Sequence, residues 1–196
     1  MAPPPKHRDK IVRSAAELFR RRGYAATGTN DIVALSGAPK GSLYHYFPDG
    51  KTQIAEEAVT YAGGRVTATL TALIAEHGPP EALRIYGRML AGWLEKSGWR
   101  DGCPIATTLL EIAPDADGVA AAGRAAFAAW AGIFAAALAA AGVAEDRARR
   151  LGDFAITAIE GALVLARVER RAGPILAAVD EVADLFAAAI SAGRGD

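Results

Sequence analysis

The sequence predicts an all-α chain, and three observations carry that expectation. Apolar residues recur at three- and four-residue spacing through most of the chain, as one face of a helix requires. No run alternates apolar and polar residues in the manner of a half-buried strand. Gly23, Gly37, Pro79-Pro80, Gly102 with Pro104, Pro114, Gly142 and Gly173-Pro174 stand between the periodic stretches, where they end helices rather than interrupt them.

The first helix is expected over Lys6–Arg22, because Ile11, Ala15, Leu18 and Phe19 fall on one face while Arg13, Glu17, Arg20 and Arg21 fall on others. Gly23 ends it. Thr29 can N-cap a second helix over 30–36, with Asp31 in the first turn where a carboxylate suits the helix dipole and with Ile32 and Leu35 as its buried residues. Gly37 then suits a left-handed helix end, and Pro39, with its preset φ and missing N–H, suits the start of a third helix running to Phe47. At about 100° per residue, Leu43 and Phe47 share a face with the stem of Lys40, which turns Gly41, Ser42, Tyr44 and His45 outward. A solvated face would more usually carry Glu and Lys, whereas short donors around a glycine allow close approach to phosphates and base edges. Two short helices joined across Ser36-Gly37-Ala38 match a helix-turn-helix, whose second helix enters the major groove. The expected DNA contacts are Lys40, Gly41, Ser42, Tyr44 and His45, with Thr29 and Lys51 anchoring phosphates at the starts of their helices. Arg20-Arg21-Arg22 reads as a solvated helix end.

Residues 10–59 resemble the DNA-binding domain of TetR-family transcriptional repressors. Leu18-Phe19, Gly23-Tyr24, the segment from Thr29 to Val33, the run Gly37 to Phe47 and Lys51 match that family's pattern in order and spacing. Asn30 and Pro39 stand where the family often has other polar residues, and Pro48-Asp49-Gly50-Lys51 is one residue longer than the commoner link. The longer link, with Gly102-Cys103-Pro104-Ile105-Ala106 and Ile159-Glu160-Gly161-Ala162-Leu163, resembles the LmrA/YxaF-like branch. The resemblance implies a ligand-responsive repressor that binds a double-stranded DNA operator as a homodimer. It also implies release by a small-molecule inducer, for which the branch suggests an aromatic, drug-like compound.

Length and composition allow one or two domains, with 1–55 expected as the helix-turn-helix and 56–196 as a helical ligand-binding and dimerisation body. The chain of 196 residues is 52% hydrophobic and has a formal net charge of zero, which alone would argue against nucleic acid. The charge is unevenly placed. Residues 1–55 hold nine Lys/Arg against four acids, a net of +5, and the rest carries −5, so phosphate attraction is directed to one end. The single Cys103 fits a reducing, cytoplasmic compartment, with a buried inert thiol as its expected state. The Pro-rich, charged start lacks the apolar core of a secretory signal and is expected to be a disordered arm. Twenty uncharged residues between Arg124 and Glu145 could span a membrane by length. They are mostly Ala and Gly, with Phe127, Trp130, Ile133, Phe134 and Leu138 at helical spacing, so a core helix and no membrane partner are expected.

Further helices are expected at 51–76, 80–97, 105–112, 116–141, 145–171 and 175–192. The last two are Ala-rich and carry more apolar surface than one neighbour needs. Ile156, Ile159, Leu163, Val182, Leu185 and Phe186 are the expected seam of a four-helix dimer interface, with an ordinary intramolecular hairpin as the alternative. Trp93, Trp99, Phe127, Trp130, Phe134 and Phe154 supply an aromatic inventory suited to an inducer cavity, or otherwise a plain core. His7, His45 and His77 are dispersed, and neither metal-ligand spacing nor a nucleophile or phosphate-loop motif is present, so no catalytic residue, metal or cofactor is expected. An all-helical enzyme using the aromatic cavity and a helical protein-interaction adaptor remain as alternatives. Both leave the basic head unexplained.

Overall fold

Eight α-helices follow one another along residues 6–193, the residues described by a computed structural model of the chain. They are α1 Lys6–Arg22, α2 Thr29–Ser36, α3 Lys40–Tyr46, α4 Gly50–Lys96, α5 Ala106–Ile112, α6 Asp117–Ala140, α7 Glu145–Glu169 and α8 Gly173–Gly193. A 3₁₀ turn, Ala113–Asp115, joins α5 to α6. No strand occurs among the described residues, and residues 1–5 of the expected Pro-rich arm lie outside them.

The boundaries sit close to those expected, with one merger. Helix α4 runs from Gly50 to Lys96, but Gly78 breaks its course at φ 72° and ψ 166°. The cause is local: Pro79 and Pro80 have no N–H to donate, and a residue before proline is sterically driven away from the helical region. In effect α4 is the two helices that the sequence predicted on either side of the proline pair.

The chain forms two compact units. The first takes the residues up to Gly64 together with Cys103–Ala126. In it α1 packs on α2, α3 and α5. Ile11, Ala15, Phe19, Ile32, Leu43, Phe47 and Ile54 are buried, each large side chain contributing about 1.5–3 kcal/mol by leaving water. Close helix approaches depend on missing side chains: a Cβ on Gly63 would meet Ala126, and one on Gly123 would meet Leu109.

The second unit takes Arg65–Gly102 and the residues from Phe127 onward. Its main pairing is the α7–α8 hairpin. Leu151, Ala155, Ile156, Ile159, Ala162, Leu163 and Ala166 on α7, with Ile175, Val179, Val182, Ala183 and Phe186 on α8, form the buried faces. Arg84 bonds Asp184 and lies 3.4 Å from Asp180, an exposed network that adds little stability but fixes orientation. The uncharged run became α6, the one helix among the described residues that is long and apolar enough to cross a membrane. Its large side chains Trp130, Phe134 and Leu138 are buried, while Ala128, Gly132, Ala136 and Ala140 are exposed, which is the core stripe expected of it.

At Gly152 α7 approaches α6 closely, because a Cβ there would overlap the carbonyl oxygen of Ala131. Gly152→Ala should therefore cost ~1–3 kcal/mol, the usual range for overpacking, and lower the melting temperature. Gly132→Ala, on the same helix pair but facing open space, should instead stabilise by ~0.5–1 kcal/mol through helix propensity. Equal melting temperatures for the two variants would mean that the helices separate freely at Gly152.

Candidate nucleic-acid interface

The turn between α2 and α3 is built from three local devices. Gly37 adopts φ 62°, and its N–H donates to the Val33 carbonyl at 3.1 Å, closing α2. Ser36 Oγ donates to the Val33 carbonyl at 3.1 Å and accepts from the Ala38 N–H at 3.2 Å. Pro39 is the N-cap of α3, one residue earlier than its expected helical role, and its carbonyl accepts from the Ser42 N–H at 2.8 Å. Seven residues is too short for a helix to persist alone, so Leu43 and Phe47, both fully buried, hold α3 in place.

That burial fixes which residues face solvent. Lys40, Gly41, Tyr44 and His45 are exposed, Tyr44 at 55%, and the His45 ring meets Tyr46 edge-on at 5.0 Å. Ser42 corrects the expected outward face: it is 4% exposed. The inward arc runs from Ser42 through Tyr46 and Leu43 to Phe47, so it takes in Ser42 and leaves Lys40 outside. Leu35, expected to be buried, is 47% exposed because Ser36, four residues after the buried Ile32, occupies the inward position. At the other end of α2 the N-cap is Gly28, not Thr29. The Gly28 N–H donates to Asp31 Oδ2 at 2.8 Å, and Thr29 is the half-buried first helical residue.

Lys51 departs furthest from its expected role as a phosphate anchor. Its ammonium donates to the carbonyls of Tyr24 at 3.0 Å and Thr27 at 3.1 Å, and lies 3.9 Å from the centroid of the Tyr24 ring. It is a staple on the α1–α2 loop. Other head cations are similarly engaged: Arg8 pairs with Glu57 at 2.7 Å over the Phe47 ring, and Arg13 lies over Tyr61. Burial raises the Glu57 carboxyl above its ordinary value, against the lowering that Arg8 supplies.

Sequence reasoning missed Glu111. Its carboxylate, on α5, accepts the Tyr24 N–H at 3.1 Å and the Ala25 N–H at 2.6 Å. A pair 87 residues apart leaves no periodic signal to find.

The expected dimer seam is also corrected. Ile156, Ile159, Leu163, Val182 and Phe186 are buried within the single chain, Phe186 against Phe134 of α6, and of the six only Leu185 is exposed, at 40%. The sequence has two apolar stripes on α7, and periodicity does not say which one the hairpin uses. The second stripe is exposed: Phe154 at 49%, Val164 at 60%, Leu165 at 55% and Val168 at 76%. Phe154, expected at the inducer site, lies on that exposed stripe. Of the other aromatics, Trp130 is buried with Phe127 edge-on at 5.3 Å, and Phe134 is fully buried against Phe186 at 5.6 Å. Trp93 is 45% exposed beside Tyr86, and Trp99 is half-buried at a left-handed φ of 62°.

A short, exposed, polar helix held by a tight turn on a buried scaffold defines a helix-turn-helix DNA-binding regulator. Comparison with known proteins agrees. Residues 11–58 match the family model for bacterial regulatory proteins of the tetR family, and residues 79–181 match that for the C-terminal domain of LmrA/YxaF-like transcriptional regulators. The HTH-type transcriptional regulator YxaF of Bacillus subtilis is 35% identical over 176 residues, covering 89% of this chain and 92% of that protein. LmrA of the same organism is 30% identical over 183 residues, covering 91% and 96%. A TetR regulator from Chloroflexus aurantiacus superposes with a TM-score of 0.75 at 27% identity, covering 92% of this chain and 94% of that one. The chain belongs to the TetR family, in its LmrA/YxaF-like branch. It is a transcriptional regulator and not an enzyme.

Because Lys51 satisfies two loop carbonyls, Lys51→Ala should lower stability by ~1–3 kcal/mol in a denaturant titration. The salt dependence of DNA binding by the folded variant should stay that of the parent. A slope shallower by about one would return Lys51 to the phosphate-anchoring role.

Proposed function

We propose that the protein is a ligand-responsive cytoplasmic repressor that binds a pseudo-palindromic operator as a homodimer, each subunit placing α3 in the major groove. The observation that carries this reading is the outward face of α3, where Lys40, Gly41, Tyr44 and His45 are all exposed and none is aliphatic. Lys40 supplies charge for phosphate, Gly41 permits close backbone approach, and Tyr44 and His45 supply hydrogen-bonding tips for base edges or phosphates. Thr29, at the first turn of α2, is a backbone contact in this reading, and Ser42 supports the helix from within.

The exposed stripe on α7, together with Leu185 on α8, supports the dimer. Phe154, Val164, Leu165 and Val168 follow helical spacing, with exposed Gly161 between them and open space at its missing Cβ. Pairing two such stripes removes large apolar side chains from water that one subunit alone leaves exposed. Two recognition helices about 34–36 Å apart then read one face of the duplex. The inducer is proposed to be a small aromatic molecule held among Trp93, Trp99, Phe127, Trp130 and Phe134, five of the aromatic residues of the second unit. It lowers operator affinity by binding better to the subunit arrangement that DNA does not favour.

Electrophoretic mobility shifts against promoter fragments test the DNA reading, with affinity expected to fall steeply as salt rises. A Tyr44→Ala, His45→Ala double variant should lose sequence preference and keep its fold and dimerisation. Full operator affinity in that variant would move the reading surface off α3. In sedimentation, Leu165→Glu and Val168→Glu should give folded monomers with weak half-site binding, because each places a charge in the apolar seam. Dimers from both would place the interface elsewhere. Ile159→Glu should unfold the hairpin instead, since Ile159 is buried within one subunit.

A further inference from the structure

The loop between α1 and α2 is held from two sides by opposite charges. Its N–H groups at Tyr24 and Ala25 donate to the Glu111 carboxylate, and its carbonyls at Tyr24 and Thr27 accept from the Lys51 ammonium. Thr27 Oγ1 closes the loop by donating to the Gly23 carbonyl at 2.8 Å. Gly23 makes room for this arrangement: it sits at φ 82°, and a Cβ there would overlap Glu111 Oε1. Lys51 belongs to the start of α4, close in sequence to the helix-turn-helix. Glu111 does not. It lies in the stretch matched by the C-terminal family model, residues 79–181, yet it sits in the same compact unit as α1, α2 and α3.

We infer that Glu111 is a positioning residue for operator recognition, the point at which the ligand-binding half of the chain holds the loop that sets α2 and α3. The inference rests on the DNA-reading role of α3. Two charge-assisted hydrogen bonds to backbone N–H groups fix the loop in distance and direction, which a packing contact alone would not. Gly28, which caps α2, follows Thr27 directly, so the loop sets where α2 begins, and the Ser36–Ala38 turn carries that placement to α3. On its other side α5 passes through Ala113–Asp115 into α6, a helix that starts in the first unit and continues into the second. A displacement of α5 that lengthens the Glu111 bonds beyond hydrogen-bond range frees the loop without unfolding the head, because the freed N–H groups are near solvent and water can satisfy them. The charge count of the DNA-facing surface is untouched. Release of Glu111 therefore lowers sequence-specific binding and leaves phosphate attraction as it was.

The test compares parent, Glu111→Ala, Glu111→Gln and, as a control on the same helix, Leu110→Ala, whose side chain is 82% exposed. Full-length proteins are titrated by fluorescence anisotropy onto a duplex selected by the parent and onto a scrambled duplex of equal length. Glu111→Ala should lose about tenfold or more in affinity for the selected duplex, because the loop must then be ordered on binding, with scrambled-duplex affinity not lowered. Glu111→Gln, which keeps one acceptor oxygen, should fall between, and Leu110→Ala should match the parent. Parent-like affinity in Glu111→Ala, or an equal loss on both duplexes, would overturn the proposal. Amide hydrogen exchange without DNA supplies a second readout: Tyr24 and Ala25 should exchange faster in Glu111→Ala while the α1 core keeps its protection. If the parent selects no duplex, the DNA reading fails on its own. Unchanged exchange at Tyr24 and Ala25 in Glu111→Ala would separately overturn the hold of Glu111 on the loop.

Discussion

A seven-residue helix has to be held from outside, and the head of this protein is organised around that constraint. Helix nucleation is costly, and α3 is well short of the length at which propensity sustains a helix in water. Its stability comes from Leu43 and Phe47, which sit at zero exposure. The same burial decides which face of α3 is exposed. Once Leu43 and Phe47 are fixed inward, Lys40, Gly41, Tyr44 and His45 have no neighbour to cover them, and Ser42 has no path outward. The proposed recognition face is a by-product of where the core lies.

The cations of the head show how little a net charge says about function. Residues 1–55 carry a net of +5, but several of those side chains are held in place by the protein itself. Lys51 holds two loop carbonyls, Arg8 pairs with Glu57 and covers Phe47, and Arg13 covers Tyr61. Of the residues argued from the sequence, Lys40 alone keeps a free-standing charge on the reading helix. In the proposed homodimer, affinity then depends on bringing two such helices to one duplex, which would give the exposed apolar stripe of α7 a bearing on DNA binding.

Much of this was legible in the sequence where the signal is local. Helix periodicity, the Pro79-Pro80 break and the Gly37 turn follow from short-range sterics, and the order of helices came out as expected. Legibility failed where a choice between neighbours decides the outcome. On α7 two apolar stripes of similar quality compete, and the hairpin took Ile156, Ile159 and Leu163, leaving Phe154, Val164, Leu165 and Val168 exposed. On α3 the arc was misjudged by one residue, which exchanged Ser42 for Lys40. Lys51 was read as reaching outward because a lysine at a helix start suits phosphate, yet two backbone carbonyls lay nearer. Glu111 had no local mark, since its partners are brought to it only by the tertiary fold.

The claim on which the rest depends is that the exposed face of α3 reads DNA sequence as one of a symmetric pair. Selection of genomic DNA fragments by the purified protein, repeated at low and at physiological salt, tests it most directly. The account predicts enrichment of fragments sharing a two-fold symmetric sequence with half-sites about one helical turn or a little more apart, the enrichment surviving physiological salt while bulk retention falls. Fragments retained at low salt with no shared sequence, or a shared sequence with no two-fold symmetry, would contradict it.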